Sequence, residues 1–403
     1  MKPKEYMSKL PKGADALLIA LQTPNFQNTI GIPVLIWGKP GEGKSSFLED
    51  LATPEFPVLT LIASIHDPTD FSGLPIMHEG KVHYAVPEWV EKFGEEGSGI
   101  LFLDELTTAP PSVQAALLRV VLERKVGFHD LPEKVRIVAA ANPPDMMTGG
   151  WELSPPLRNR FVHLSWELPA SVYKNALLNG FDKAQLPHIP LDKHTIAKKE
   201  YSLLVHSFLS RNPNLLTSSP DQDRYGFASP RSWDYAIALM ASCEVLGLSP
   251  LKNKTESVIF LELLAGCLGE GIAINFAGFM KKLKVPDPQA VLDGEITVKV
   301  EDLDESELFI LFNGFRQHLK KDQPKQELLK RSKVLLPLIA TVDKANRKDI
   351  IFPAIRYLGH EEHLINRLIR ATSDDEPMHK QVMKFVENFF SKDGFEDYIN
   401  ILG

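Results

Sequence analysis

Gly38-Lys39-Pro40-Gly41-Glu42-Gly43-Lys44-Ser45 fits the Walker A pattern G-x-x-x-x-G-K-[ST], and it follows an apolar run, Ile32 to Trp37, that reads as a buried strand. A strand must deliver such a loop, successive loop amides must turn toward the phosphates, and a helix must open behind them with its N-terminal N–H groups facing the anion. Ser45-Ser46-Phe47-Leu48-Glu49-Asp50-Leu51 supplies that helix. Gly38 and Gly43 allow backbone conformations closed to residues with a β-carbon, Pro40 stiffens the loop, and Gly41 lets a phosphate approach closely. Lys44 is expected to reach the β- and γ-phosphates of a nucleoside triphosphate as a point charge. Ser45 is expected to offer its hydroxyl to the Mg²⁺ that bridges them. With Lys39, Glu42 and Ser46, these residues form the expected nucleotide-binding set.

The 403-residue chain is 44% hydrophobic and 24% charged, ordinary for a soluble globular protein and long enough for two or three domains. A net charge of −7 gives no global pull toward nucleic acid or an anionic membrane. Cys243 and Cys267 sit in apolar helical stretches without metal-ligand spacing, which suits a reducing cytoplasm and two buried thiols. Met1-Lys2-Pro3-Lys4-Glu5 has no apolar h-region, so a cytoplasmic chain is expected. The most apolar long stretch, Val258 to Met280, is interrupted by Glu262, Glu270 and glycines, and reads as a buried helix pair, not a membrane span.

Apolar runs of strand length alternate with helical patterns over Ile32 to Trp37, Val58 to Ala63, Ile100 to Leu103, Val135 to Ala140 and Phe161 to Leu164, the signature of parallel βαβ units in a doubly wound sheet. Val113, Leu117, Val120 and Val121 recur at helical spacing after Pro110-Pro111, a helix start. Beyond Pro169 the chain reads as helices. The expected organisation is an N-terminal helical segment at 1–30, an α/β P-loop core with a five-stranded parallel sheet at 31–168, a helical lid at 169–285, a boundary at 286–306 and a helical extension at 307–403. The boundary rests on Pro286-Asp287-Pro288 and the acidic stretch Glu301 to Glu307. In the extension, Val382, Phe385, Val386, Phe389 and Phe390 share one helical face, expected to be core.

Ile100-Leu101-Phe102-Leu103-Asp104-Glu105 is an apolar strand ending in two acids, the form of a Walker B element. Successive strand side chains point to opposite faces, so the two acids can divide the work. Asp104 is expected to hold Mg²⁺ through its water shell and Glu105 to orient and polarise the attacking water. A further strand ends at Val138-Ala139-Ala140-Ala141-Asn142, placing the Asn142 amide at the same carboxyl edge, where it can donate to a γ-phosphate oxygen or the water.

These motifs, in this order, resemble those of the AAA+ ATPases and, within them, the MoxR-like branch of the MoxR, CbbQ and NorQ type, over about residues 30 to 260. The resemblance implies that Asn142 is sensor 1, that Leu157-Arg158-Asn159-Arg160-Phe161 carries the arginine finger, with Arg160 and Arg158 as candidates, and that Ser229-Pro230-Arg231 opens a lid helix with Arg231 as sensor 2. His66-Asp67-Pro68-Thr69-Asp70-Phe71-Ser72-Gly73-Leu74-Pro75 resembles the lead into the helix 2 insertion, a pore-facing loop in which Asp70 and Phe71 are expected to touch the client. Glu123-Arg124-Lys125-Val126-Gly127-Phe128 resembles the hairpin before sensor 1. The resemblance implies an ATP- and Mg²⁺-dependent hydrolase, a homo-oligomeric ring of six subunits, a protein client and a separately encoded adaptor with a von Willebrand factor A domain. A nucleic-acid motor or restriction-type subunit, and a nucleotide-gated scaffold with little turnover, stay open as alternatives. His78 and His83 flank a turn and are not expected to bind metal. Lys320, Lys321, Lys325, Lys330, Arg331 and Lys333, diluted by Asp322 and Glu327, are expected on a solvated helix face.

Overall fold

Five of the apolar runs form one parallel sheet: β1 (Val34–Trp37), β2 (Val58–Ile62), β5 (Ser98–Asp104), β8 (Lys134–Ala141) and β9 (Val162–Ser165), in the order β2-β5-β8-β1-β9. The computed structural model describes residues 10–390 apart from 27–28, 95–96, 144–145, 147–149, 221–224, 249–257, 321–322, 361 and 374, and without the side chains of Gln317, His360, Asn388, Phe389 and Phe390. Met1 to Glu5, Lys321, Asp322 and the side chains of Phe389 and Phe390 therefore lie outside the described residues.

Val34 pairs with Val138 on one side and Val162 on the other, so β1 is fully enclosed and its Val-Leu-Ile run stays out of water. Coverage on both faces is why these strands read as continuous apolar runs without alternation. On one face Leu35, Trp37, Leu101, Leu103, Val135, Ile137 and Ala139 pack with Val113, Leu117, Val120 and Val121 of the helix Pro111–Glu123. Because β8 lies between β5 and β1, the ends of these three strands bring Asp104, Asn142 and Gly38 side by side along one sheet edge, with neighbouring strands ~4.8 Å apart.

Two small hairpins leave this sheet. β3 (Leu74–His78) and β4 (Lys81–Ala85) pair antiparallel around Glu79-Gly80, both at positive φ (49° and 73°), the backbone of a two-residue type I′ turn. β6 (Lys125–Val126) and β7 (His129–Asp130) form the second.

The chain divides into two compact units, 1–205 with 212–281, and 206–211 with 282–403. Beyond β9 the described elements are helical. In the first unit the apolar stretch near residue 260 is a helix pair, Val258–Leu268 and Glu270–Lys282, and Cys243 and Cys267 are free and buried. No helix among the described residues is long and apolar enough to cross a membrane.

In the second unit Leu308, Leu311, Phe312 and Phe315 of the helix Glu305–His318 pack with Leu335, Ile339, Ile355, Val382 and Phe385. The stretch 286–306 does not behave as a solvated connector: Val291, Leu292, Val300 and Leu303 are buried in this core. Its acids serve a helix start, since Asp304 accepts from the Glu307 amide at 2.9 Å and Glu307 accepts from the Asp304 amide at 2.9 Å, a reciprocal cap. Arg331 also departs from the solvated face expected of its cluster. It is buried, paired with Asp293 and Glu327 at 2.8 Å each, and donates to the His318 carbonyl.

One half-buried acid makes stability depend on pH. Glu262, on the helix Val258–Leu268, faces Lys12 and Asp15, and its Oε1 has no hydrogen-bond partner among the described residues. Burial pushes its carboxyl up to about 7, with Lys12 opposing and Asp15 adding to the rise. Between the ordinary carboxylate range and pH 7 the folded chain keeps a proton that the unfolded chain releases, so stability falls as pH rises through that window. Glu262→Gln has no proton to release. Its unfolding free energy relative to the native chain should therefore improve by roughly 3 kcal/mol between pH 4 and pH 8. Urea unfolding at both pH values measures this, and an unchanged difference would remove Glu262 as the source.

Candidate nucleotide site

The loop between β1 and the helix Lys44–Glu49 encloses one side of a cleft of ≈ 390 Å³ lined by Pro40 to Ser46, Asp104, Glu105, Ala141 and Asn142. Gly41 and Gly43 take φ of 79° and 75°, which a side chain would strain, and this turns the loop over the cleft. Gly38 is needed for a different reason. A β-carbon there would lie 2.9 Å from Cβ of Trp166 and 3.0 Å from its carbonyl oxygen.

Lys44 is 9% exposed, and its ammonium donates to the carbonyls of Gly38 at 2.6 Å and Lys39 at 3.0 Å. Desolvation lowers its pKa from the usual lysine value, while Asp104 and Glu42 oppose that shift. Glu42 also accepts from the Lys39 amide at 3.0 Å, and the Trp166 indole donates to the Glu42 carbonyl at 3.0 Å, pinning the loop to the strand after β1 in the sheet. The Ser45 hydroxyl donates to Asp104 Oδ2 at 3.1 Å. Two hard oxygen donors thus stand together at the cleft floor. Such a pair suits Mg²⁺, which keeps several waters and takes its remaining ligands from phosphate. Among the described residues no cluster of three or more His, Cys, Asp or Glu side chains forms an all-protein cage.

Glu105 lies in the left-handed region at φ 54° and ψ 40°, a conformation uncommon for a residue with a side chain. Its carboxylate accepts from the Ser64 hydroxyl at 3.2 Å, and its carbonyl accepts from the Thr108 hydroxyl at 2.7 Å. Ser64 carries no motif and was not legible in the sequence. Asn142 lines the cleft directly after β8, and the Ala141 carbonyl before it accepts from the Gly38 amide at 3.2 Å.

A second cavity of ≈ 240 Å³ shares Gly41, Glu42, Gly43 and Ser46 with the first and is closed by Leu10, Pro11, Phe47, Leu168, Tyr173 and Phe181. Its largely apolar walls beside a phosphate loop suit a flat nucleobase. These residues come from three distant parts of the chain and share no spacing that the sequence could reveal.

Arg158, Arg160 and Arg231 do not line the phosphate cleft. They gather around Asn159: Arg158 donates to the Pro220 carbonyl and lies 5.2 Å from the Phe227 ring, Arg160 donates to the Pro156 carbonyl, and Arg231 donates to Asn159 Oδ1 at 3.5 Å. Burial lowers the Arg160 pKa, and Arg231 lowers it further.

The expected client contact at Phe71 is corrected by the structure. Phe71 is fully buried in the core, edge-on to His66 at 5.5 Å and near Trp89 at 6.4 Å, because the short helix Thr69–Ser72 turns it inward. Asp70 is tied into the same turn. Its carboxylate meets His66 Nδ1 at 2.9 Å and accepts from the Asp67 amide at 3.1 Å, while its carbonyl accepts from the Trp89 indole at 2.9 Å. What this anchor presents to solvent is the hairpin beyond it: Leu74, Ile76, Met77, Val82 and Tyr84 are exposed, and Tyr84 meets exposed Phe128 of the second hairpin at 5.3 Å.

Residues 33–161 match the family model described as AAA domain (dynein-related subfamily). The chain is 32% identical over 158 residues to the Psp operon transcriptional activator of Escherichia coli strain K12, covering 34% of this chain and 45% of that protein. It is 30% identical over 135 residues to Chaperone MoxR1 of Mycobacterium tuberculosis, covering 32% of this chain and 34% of that protein. The matches thus span less than half the length of either curated relative. A solved structure from Cytophaga hutchinsonii covers 68% of this chain and 91% of its own at 17% identity and a TM-score of 0.41, too loose a likeness to carry an argument.

Proposed function

We propose, for a chain whose residues 33–161 form an AAA+ ATPase domain of the MoxR-like kind, that it works as a hexameric ring in which ATP hydrolysis moves the paired hairpins against a protein client. Lys44 and the loop amides hold the phosphates, and the apolar cavity beside them takes the adenine. Ser45 and Asp104 would hold Mg²⁺, which would supply charge neutralisation at the phosphates. Glu105 orients the attacking water and takes its proton, and Asn142 donates to the γ-phosphate. Arg160 or Arg158, neither of which lines the cleft of its own chain, serves the cleft of the neighbouring subunit. A von Willebrand factor A domain protein is the adaptor expected to deliver the client.

The observation that carries this reading is the short path from Glu105 to the exposed hairpin. Ser64 holds the carboxylate at 3.2 Å, and the turn from Ile65 to Ser72 that follows it is the root of β3. A change around Glu105 is felt at the base of the hairpin within a few residues.

ATP turnover measured with an unfolded polypeptide and, separately, with duplex DNA at ~0.15 M salt tests it. The polypeptide should raise turnover. Met77→Asp combined with Tyr84→Asp should cut that stimulation at least about fivefold, the scale of losing a contact worth ~1 kcal/mol. Stimulation by DNA in place of the polypeptide would favour the nucleic-acid motor.

A further inference from the structure

His163 is a buried polar residue on β9 that no step of the proposed hydrolysis uses, and it joins two parts of the site. Its Cα partner on β1 is Leu35, so its side chain lies on the same sheet face as Trp37, the residue immediately before the phosphate loop. The Trp37 indole N–H donates to His163 Nδ1 at 2.9 Å, and His163 Nε2 lies 2.9 Å from the Arg158 carbonyl. An indole nitrogen can only donate and a carbonyl can only accept. The imidazole therefore has one tautomer open to it, with its proton on Nε2 directed at Arg158.

Burial pushes the His163 imidazole down to about 4. It therefore stays neutral near physiological pH, and neither a second proton nor a ring flip keeps both contacts. Tyr225 stacks over the pair, its ring 5.0 Å from that of Trp37 and 6.3 Å from that of His163. The Trp166 amide, just past the end of β9, donates to the Trp37 carbonyl at 2.7 Å. Beyond Arg158, Asn159 Oδ1 accepts from Ser229 at 2.9 Å and from Arg231. Hydrogen bonds, joined by the Arg158–Asn159 peptide link, thus run from the root of the phosphate loop through His163 to the arginine segment and on to the cap of the helix Pro230–Val245.

We infer that His163 is a positioning residue that ties the root of the phosphate loop to the backbone of the arginine segment, so that the loop of one subunit fixes the reach of the arginine it offers to its neighbour. This rests on the ring proposed above. With both ring nitrogens of His163 satisfied, one arrangement is specified, and displacing Trp37 or Arg158 alone leaves a buried ring nitrogen unpaired. The link therefore moves as a unit.

Two substitutions separate its halves. His163→Asn keeps an acceptor where Nδ1 stood but falls short of the Arg158 carbonyl, whereas the longer His163→Gln places an amide donor at the Nε2 position. In subunits shown folded by circular dichroism, His163→Asn should lower kcat about tenfold, the scale of one buried hydrogen bond, while the nucleotide Kd stays within about threefold. His163→Gln should lower kcat as well, because an amide donor at the Nε2 position leaves the Trp37 indole without its acceptor and the tie needs both ends. Mixing His163→Asn with Lys44→Ala subunits should also restore turnover, because the Lys44→Ala subunit supplies a correctly held arginine. The same mixture made with Arg160→Ala is the control. If Arg160→Ala is rescued and His163→Asn is not, the positioning role is overturned and the ring stands. If neither is rescued, completion across the subunit boundary fails, and the role is decided by kcat against Kd in the Asn and Gln variants alone. Native kcat in His163→Asn, or equal losses in kcat and Kd, would overturn it. Should His163→Asn not fold, Trp37→Phe keeps the aromatic stack and removes the indole donor. It must then show the same loss of kcat and the same rescue.

Discussion

Arg160→Ala subunits should turn over ATP about a thousandfold more slowly than the native chain, the low end of what a cationic side chain contributes at a transferring phosphoryl group. Their affinity for nucleotide should be unchanged, because Arg160 lines neither the phosphate cleft nor the apolar cavity of its own chain. Between the two candidates, Arg158 is the more committed within its own subunit, donating to the Pro220 carbonyl and lying over Phe227. Arg160 donates to the Pro156 carbonyl, within its own turn. Mixed with Lys44→Ala subunits, which cannot hold phosphate but keep their arginines, Arg160→Ala subunits should regain part of the lost rate in steady-state assays. Absence of recovery at every mixing ratio, with both variants folded and assembling, would count against an arginine acting across the boundary.

Glu105→Gln should retain ATP binding and slow turnover by roughly 10² or more, the scale of removing a general base. The amide has nearly the shape of the carboxylate and can still accept from Ser64 at the 3.2 Å contact, so the left-handed turn at this position is kept. What is lost is the capacity to take a proton from water. Single-turnover measurement with bound ATP separates the chemical step from binding, and an unaltered rate would remove Glu105 from its role. The same variant should hold ATP while turning it over slowly, so affinity capture with it would test for the proposed client and adaptor.

The parallel sheet was legible because its central strands are buried on both faces, so that runs such as Val34–Trp37 stand out as unbroken apolar segments between polar turns. The helix Pro111–Glu123 was legible from its periodicity. The direction of Phe71 was not: a helix of four residues is too short to show a face, and only packing beneath Trp89 turns the ring inward. Motif order singles out Arg158, Arg160 and Arg231, but it says nothing of which carbonyl or ring each guanidinium meets. Ser64 and His163 were missed for the same reason, since each acquires its part from a partner distant in sequence. Acids near residue 304 resembled a solvated boundary because a cap and a linker draw on the same residue types.

The burial of Phe71 has a mechanical consequence. A fixed aromatic at the root and two five-residue strands beyond it make the hairpin a rigid arm, roughly 16 Å long at ~3.3 Å per residue. Rocking about 10° on that fulcrum carries the tip at Glu79-Gly80 through ~3 Å, close to one residue of an extended polypeptide. In the ring proposed above, that swing would match the step of an extended chain, with Phe71 as the pivot and the exposed Met77, Val82 and Tyr84 as the grip.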